Sequence, residues 1–459
     1  MRRNRRNRGG GFIKFIIFLL LIGAGAFYIY TSPMFERVPP TITVKNPLIA
    51  NANTPIKFNV KDNVRVKSVK VVLNKEGKEI PIYNQTFLIP TNSKNIEIKL
   101  PSDIIKSKND TWNVEITAKD ASYWNFLRGN ISKKNTKLII DTTPPSVSLV
   151  ANSSSILKGG TALVIYKAKD KNLKDTYVEV NKNLRFKATR YKKDGVYATL
   201  FVWPFNQDNF SPKIVAIDTA GNRVTIDISI YKKMKKYKVS QIRASDRFIN
   251  GKIKELAMSD PDYSDIKDKF KRFIAVNEKM RKKNEDLIHK LSQKVTPING
   301  SWKIAPFYPL KNATKVSDFG TKRFYYYGNK NNIISTSYHL GYDFASYKNA
   351  DLKSTNPGVV VFASNNGIYG NMPLINHGFG LYTLYGHCSE ILVNKGEKIK
   401  PNQTFAKTGM TGLALGDHVH FGVVVQGVEV YPLEWMSKKW INDNINRVFK
   451  KADKNLGYN

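Results

Sequence analysis

Cysteine is nearly missing. Cys388 is the single one in 459 residues, which excludes an intramolecular disulfide and any cysteine-based zinc ribbon. Acidic residues are also scarce, 36 Asp and Glu against 74 Lys and Arg, for a formal net charge of +38. Such an excess points either to an anionic partner or to lysines on solvated strand faces. The basic residues are spread along the chain and no nucleic-acid module is visible, so no nucleic-acid partner is expected. A phospholipid surface or an acidic wall polymer fits better. What is present is enough for real cores: 41% hydrophobic and 12% aromatic residues. The length implies about two to four folded units.

Arg2, Arg3, Arg5, Arg6 and Arg8 open the chain, and residues 12–30 are then apolar apart from Lys14. That run is close to the roughly 20 residues a helix needs to cross a bilayer, and Lys14 can snorkel to the headgroups. Residues 1–11 are read as a basic cytoplasmic tail and 12–31 as a transmembrane anchor. The rest then lies outside the cytoplasm by the positive-inside rule. Ala24-Gly25-Ala26 would also suit a signal-peptide cleavage site. The apolar run continues past it through Tyr30, which favours an uncleaved, single-pass anchor in the inner membrane.

Two exported segments look like copies. One opens at Pro39-Pro40 and the other at Pro144-Pro145. Each shows alternating β-branched residues, a Lys-Asp step (Lys61-Asp62, Lys169-Asp170) and a late strand ending in Asp (Asp120, Asp218). Short alternating strands over about 100 residues predict β-sandwiches at 38–141 and 142–233. These resemble bacterial immunoglobulin-like repeats, and would space or hold the last third of the chain. Over 238–296 the apolar spacing becomes helical, through Ile253, Leu256, Phe270, Phe273 and Ile274, with a break near Asp260-Pro261-Asp262. His289 in this block has no partner at ligand spacing and reads as a helix-surface residue.

Five of the six histidines fall between residues 339 and 420. They lie in His339-Leu340-Gly341-Tyr342-Asp343, Leu384-Tyr385-Gly386-His387 and His418-Val419-His420-Phe421, with His377 in a turn that reads as structural. In a straight strand, positions four apart are about 13 Å from each other. His339 and Asp343 therefore converge only if the chain bends, and Gly341 is the residue that would permit it. His418 and His420 share one strand face about 6.6 Å apart, with Val419, Phe421, Val423 and Val425 facing a core. Two imidazoles and a carboxylate leave a fourth position open, as catalytic zinc requires. Asp417 reads as a turn residue and Cys388 as a buried, inert thiol.

Residues 316–432 resemble the lysostaphin/LytM family of zinc endopeptidases, in the H-x-G-x-D motif, the later His and the terminal H-x-H. Asp318-Phe319-Gly320-Thr321-Lys322-Arg323 and Thr408-Gly409-Met410-Thr411-Gly412 fit as well. The resemblance implies one Zn2+ on His339, Asp343 and His420, with His387 and His418 as the catalytic pair, in a groove floored by an antiparallel sheet. The whole is read as a mainly β multidomain protein: anchor, two immunoglobulin-like β-sandwiches, helical segment, metallopeptidase domain at 300–440, and a tail at 441–459. The implied function is hydrolysis of stem-peptide cross-links of peptidoglycan in wall remodelling or shape control, with other envelope proteins as further partners. D-Ala-to-diamino-acid links are the natural bond. The alternative is a non-catalytic scaffold or activator of other wall hydrolases. Degenerate family members of that kind lose zinc ligands, and none is lost here.

Overall fold

The structure, a computed structural model, describes residues 10–105, 110–298 and 302–458. The arginine cluster at the start of the chain lies outside the described residues. Gly10–Thr31 is a helix, and Gly11–Thr31 is long and apolar enough to cross a membrane. The chain forms two compact units, residues 1–144 with 217–223, and residues 145–216 with 224–459.

In the first unit, the strands Ile56–Lys75 and Lys78–Ile98 make a long antiparallel hairpin. Thr111–Asp120 pairs with Ile56–Lys75 and with Ile131–Ile140, and the short strands Thr41–Thr43 and Leu48–Ala50 complete one six-stranded sheet. The period-two pattern buries Val69, Val71 and Leu73 and leaves Lys67 and Lys70 exposed. Pairing along the hairpin breaks between Lys61 and Val66: residues 59–61 pair with Thr41–Thr43, and residues 66–74 pair with Thr111–Asp120. The second repeat has two four-stranded sheets. Thr189–Tyr191, Lys193–Val202, Thr161–Lys169 and Ser146–Asn152 make one, and the other runs from Leu184–Lys187 through Leu173–Val180.

Residues 239–296 are not helical throughout. Val239–Arg243 is a strand parallel to Lys322–Tyr326. Helix follows from Asp246 to Met258 and from Lys269 to Leu291, each with a π-helical stretch. Ser245 caps the first by accepting from the Phe248 N–H, and Asp268 caps the second by accepting from the Phe270 and Lys271 N–H groups. The predicted break near Pro261 falls between them.

The C-terminal region is built on an eight-stranded antiparallel sheet. Its order is Thr314–Ser317, Tyr342–Ala345, Val419–Val425, Leu381–Gly386, Asn371–Asn376, Gly358–Asn365, Lys398–Ile399, with Val428–Val430 paired to Val419–Val425. One continuous core joins this sheet to the second repeat, and Trp203, Tyr166, Trp435 and Phe421 all belong to it. Polar contacts fix the same junction. Gln426 Oε1 accepts from the Lys187 N–H at 2.7 Å while its Nε2 donates to the Lys187 and Leu200 carbonyls. Glu434 accepts from the Thr161 N–H at 2.8 Å. Residues read from the sequence as a tail take part too. The helix Arg447–Leu456 carries Asp453, which accepts from the Tyr191 hydroxyl at 2.7 Å.

Candidate metal centre

Strand register explains why the site forms. Asp343 pairs across the sheet with His420, and His420 pairs on its other side with Gly386, the residue before His387. Directly opposed residues on neighbouring strands are about 4.5–5.5 Å apart, so side chains on one face must meet. Val419, Phe421, Val423 and Val425 turn to the other face and are fully buried. His339 arrives from the end of the strand Ile333–Tyr338, and the chain bends before Tyr342–Ala345 begins.

Gly341 serves this bend differently from the expectation. It is not among the positive-φ glycines. A Cβ there would lie 2.5 Å from His420 Nε2 and 2.6 Å from the Phe421 carbonyl oxygen. The position needs glycine to make room for the His420 ring, not to reach an unusual conformation.

Three donor atoms converge. His339 Nε2 lies 3.0 Å from Asp343 Oδ1 and 2.9 Å from His420 Nδ1, and His420 Nδ1 lies 2.9 Å from Asp343 Oδ1. Ligands at zinc distances of about 2.0–2.1 Å in a tetrahedron stand roughly 3.3 Å apart. The triangle is close to one face of such a tetrahedron, so the donor set fits that ion in size and in chemistry. All three residues are buried. Asp343 is held well below the usual carboxylate range. Burial opposes this, but the imidazoles of His339 and His420 outweigh it. Burial pushes His420 down to about 4, against the pull of Asp343.

The surrounding contacts orient the donors. His339 Nδ1–H donates to the Asp318 carbonyl at 2.9 Å, which turns Nε2 inward. Ser317 Oγ stands 3.2 Å from the same nitrogen and accepts from Arg323, whose Nη2 is 3.8 Å from Asp343 Oδ2. His387 and His418 sit beside the triangle. Each donates Nδ1–H at 2.8 Å to a carbonyl, Thr411 and Gly416 respectively, so both Nε2 atoms are left for the groove. His418 Nε2 is 3.8 Å from Asp343 Oδ1. Burial, with the nearby His418 and His420, pushes His387 down to about 3. Its φ of 66° is rare outside glycine and asparagine and costs on the order of 1–3 kcal/mol.

The groove over these residues holds about 310 Å³. Its far wall includes Arg243, Phe248 and Arg281, the last two from the helices. No sequence motif marks Arg281, whereas Asp318, Arg323 and Thr411 lie inside the stretches flanking the histidine motifs. Asp417 does not bond His418; it accepts from Thr408 Oγ1 and from the Asn349 N–H. His377 is outside the site, buried between the Pro357 carbonyl and Thr383 Oγ1. His289 has a partner that the sequence hides: its Nε2 is 2.7 Å from Glu429 Oε1, 140 residues on.

Residues 337–432 match Peptidase family M23, and this part of the chain is an M23 peptidase domain. Peptidoglycan DD-endopeptidase ShyA of Vibrio cholerae is 31% identical over 145 residues, which cover 32% of this chain and 30% of that protein. Stage II sporulation protein Q of Bacillus subtilis is 34% identical over 110 residues, covering 24% of this chain and 39% of that protein. The chain therefore spans less than half the length of these curated relatives. The catalytic domain of the antimicrobial peptidase lysostaphin from Staphylococcus simulans aligns over 27% of this chain and 92% of its own, at 24% identity and a TM-score of 0.23.

Proposed function

We propose that this chain, with an M23 peptidase domain as its catalytic part, is a zinc-dependent endopeptidase that hydrolyses the peptide cross-links of bacterial peptidoglycan. The N-terminal helix would hold it in the cytoplasmic membrane, with the peptidase domain on the outer side. The observation that carries the reading is the buried triangle of His339 Nε2, Asp343 Oδ1 and His420 Nδ1, with separations of 2.9–3.0 Å. These residues would hold Zn2+, which when bound supplies a Lewis acid for the scissile carbonyl and lowers the pKa of water.

The protein's own groups do the rest. His387 is kept neutral by burial, and its Nε2 offers a lone pair to a proton on the attacking water. His418 lies beside it, ring centroids 4.8 Å apart, and with a proton on Nε2 as well as Nδ1 it would donate to the oxygen that becomes negative in the tetrahedral intermediate. Arg243 and Arg281 on the groove wall suit the carboxylates of a stem peptide. The name of the ShyA relative, a peptidoglycan DD-endopeptidase, supports peptidoglycan as substrate, and the bond proposed is a D-Ala-to-diamino-acid link.

The test is to incubate the detergent-solubilised, zinc-loaded chain with isolated peptidoglycan and analyse the released muropeptides by mass spectrometry. Cross-linked dimers should disappear, and His418→Ala or chelation should preserve them. Intact dimers with the zinc-loaded wild type would overturn the reading in favour of a non-catalytic scaffold.

A further inference from the structure

Away from the peptidase groove, the first unit gathers three carboxylates. Glu36 follows the apolar helix, Asp62 lies where the pairing of Ile56–Lys75 with its hairpin partner is interrupted, and Asp120 ends Thr111–Asp120. One oxygen of each lies within 4.8 Å of the others. Asp120 is fully buried, Asp62 is 9% exposed and Glu36 is half-buried.

Among the described residues, none of the three makes an ion pair with a lysine or arginine. Their hydrogen-bond donors are neutral. Asp120 Oδ1 accepts from the Ser122 and Asn130 N–H groups, and Asn130 Nδ2 donates to Asp120 Oδ2 and Glu36 Oε1. Glu36 Oε2 accepts from the Val38 N–H and Asn63 Nδ2. Asp62 Oδ1 accepts from the Val64 and Arg65 N–H groups. Asp62 Oδ2 is buried with no hydrogen-bond partner among the described residues. Burial, with the negative Asp120 and Glu36 adding to it, holds this carboxyl above its ordinary range. Buried polar oxygens are almost always partnered, and like charges this close repel. One cation answers both.

We infer that Glu36, Asp62 and Asp120 form a calcium site, with Asp62 Oδ2 as one ligand. The donor set is all oxygen, which selects a hard cation over zinc or copper. Three protein carboxylates in a largely buried place suit calcium, whereas magnesium usually keeps several waters. The second repeat carries the same acidic pattern in sequence. Asp141 precedes Pro144-Pro145 as Glu36 precedes Pro39-Pro40, and Asp170 and Asp218 match Asp62 and Asp120. Asn222 also reproduces the bonds of Asn130. Its N–H donates to Asp218 Oδ1, and its Nδ2 donates to Asp218 Oδ2 and the Asp141 carbonyl. In the first repeat, the cation would tie the segment leaving the membrane helix to two strands of the sheet.

Trypsin cleavage after Arg37, beside Glu36, reads this directly. The full chain in detergent is freed of calcium and digested with and without added calcium chloride. At calcium ten times its Kd, cleavage at Arg37 should slow roughly tenfold. Asp62→Asn and Glu36→Gln should each remove the effect while melting like calcium-free wild type. If Asp62→Asn does not fold, Glu36→Gln carries the test alone, because Glu36 is only half-buried. A wild-type rate indifferent to calcium overturns the site, as does equal slowing in the variants. Equal protection by magnesium chloride overturns the assignment to calcium.

Discussion

The rings of His387 and His418 face each other with centroids 4.8 Å apart, each tied through Nδ1–H to a backbone carbonyl. Neither nitrogen belongs to the triangle made by His339, Asp343 and His420. Substitution should therefore separate two kinds of histidine. His418→Ala should keep stoichiometric zinc and lose roughly 10²–10⁴-fold in kcat. His339→Ala, Asp343→Ala and His420→Ala should lose zinc itself. Metal analysis beside a muropeptide assay distinguishes the two, and an unchanged zinc content in the second group would remove those residues from the ligand set.

Gly341→Ala tests the close packing behind the ligands. The new methyl would lie 2.5 Å from His420 Nε2 and 2.6 Å from the Phe421 carbonyl, so the imidazole must move. A displaced ligand should weaken zinc roughly 10–100-fold, read by competition with a metallochromic chelator, while the chain still folds. Wild-type zinc affinity in this variant would show that the ring adapts.

Glu434 predicts a pH dependence of stability. Burial pushes its carboxyl up to about 8, although the Thr161 N–H bond pulls the other way. The folded state then holds a proton that the unfolded chain releases near its ordinary value of 4.5. Stability should be highest below that pH and fall as pH rises toward about 8, by at most about 1.4 kcal/mol per pH unit. Glu434→Gln keeps an acceptor for Thr161 and removes the titration. Its melting temperature should vary less between pH 5 and 8, and exceed that of the wild type at pH 8.

Arg281 is held at the groove by bonds from its guanidinium to the Asn277 carbonyl and side chain. If it receives a substrate carboxylate, Arg281→Ala should raise KM roughly tenfold, about 1.4 kcal/mol, with kcat nearly unchanged. A fall in kcat alone would place the residue elsewhere in the reaction.

Cys388 follows His387 but is buried, donates to the Tyr385 carbonyl, and burial pushes its thiol up to about 12. Cys388→Ala should match the wild type in the muropeptide assay, and thiol reagents should leave that assay unchanged. Inactivation by either would make the thiol part of the chemistry.

Short-range rules made part of the donor triangle legible, and the choice of His420 over His418 came only from the family resemblance. A period of two puts His418 and His420 on one strand face and Val419, Phe421 and Val423 on the other, and a four-residue spacing demands a bend between His339 and Asp343. The apolar N-terminal helix was equally plain. What escaped depends on contacts between distant segments. Glu429 reaches His289 across 140 residues, Asn284 Oδ1 accepts from the Ile368 N–H across 84, and Arg281 gains its place from helix packing alone. Residue alternation does not reveal that Gln426 and Glu434 find their partners in the second repeat.

Those last two partnerships bear on how such a protein is assembled over generations. Catalytic folds are commonly thought of as cassettes, moved between genes and spliced to new neighbours. Here a cut at residue 300 would strip the cover from Trp435 and remove the Thr161 partner of Glu434 and the Lys187 partner of Gln426. A transplant that preserves solubility would have to carry residues 145–216 along with the peptidase, so the heritable module is larger than the catalytic fold.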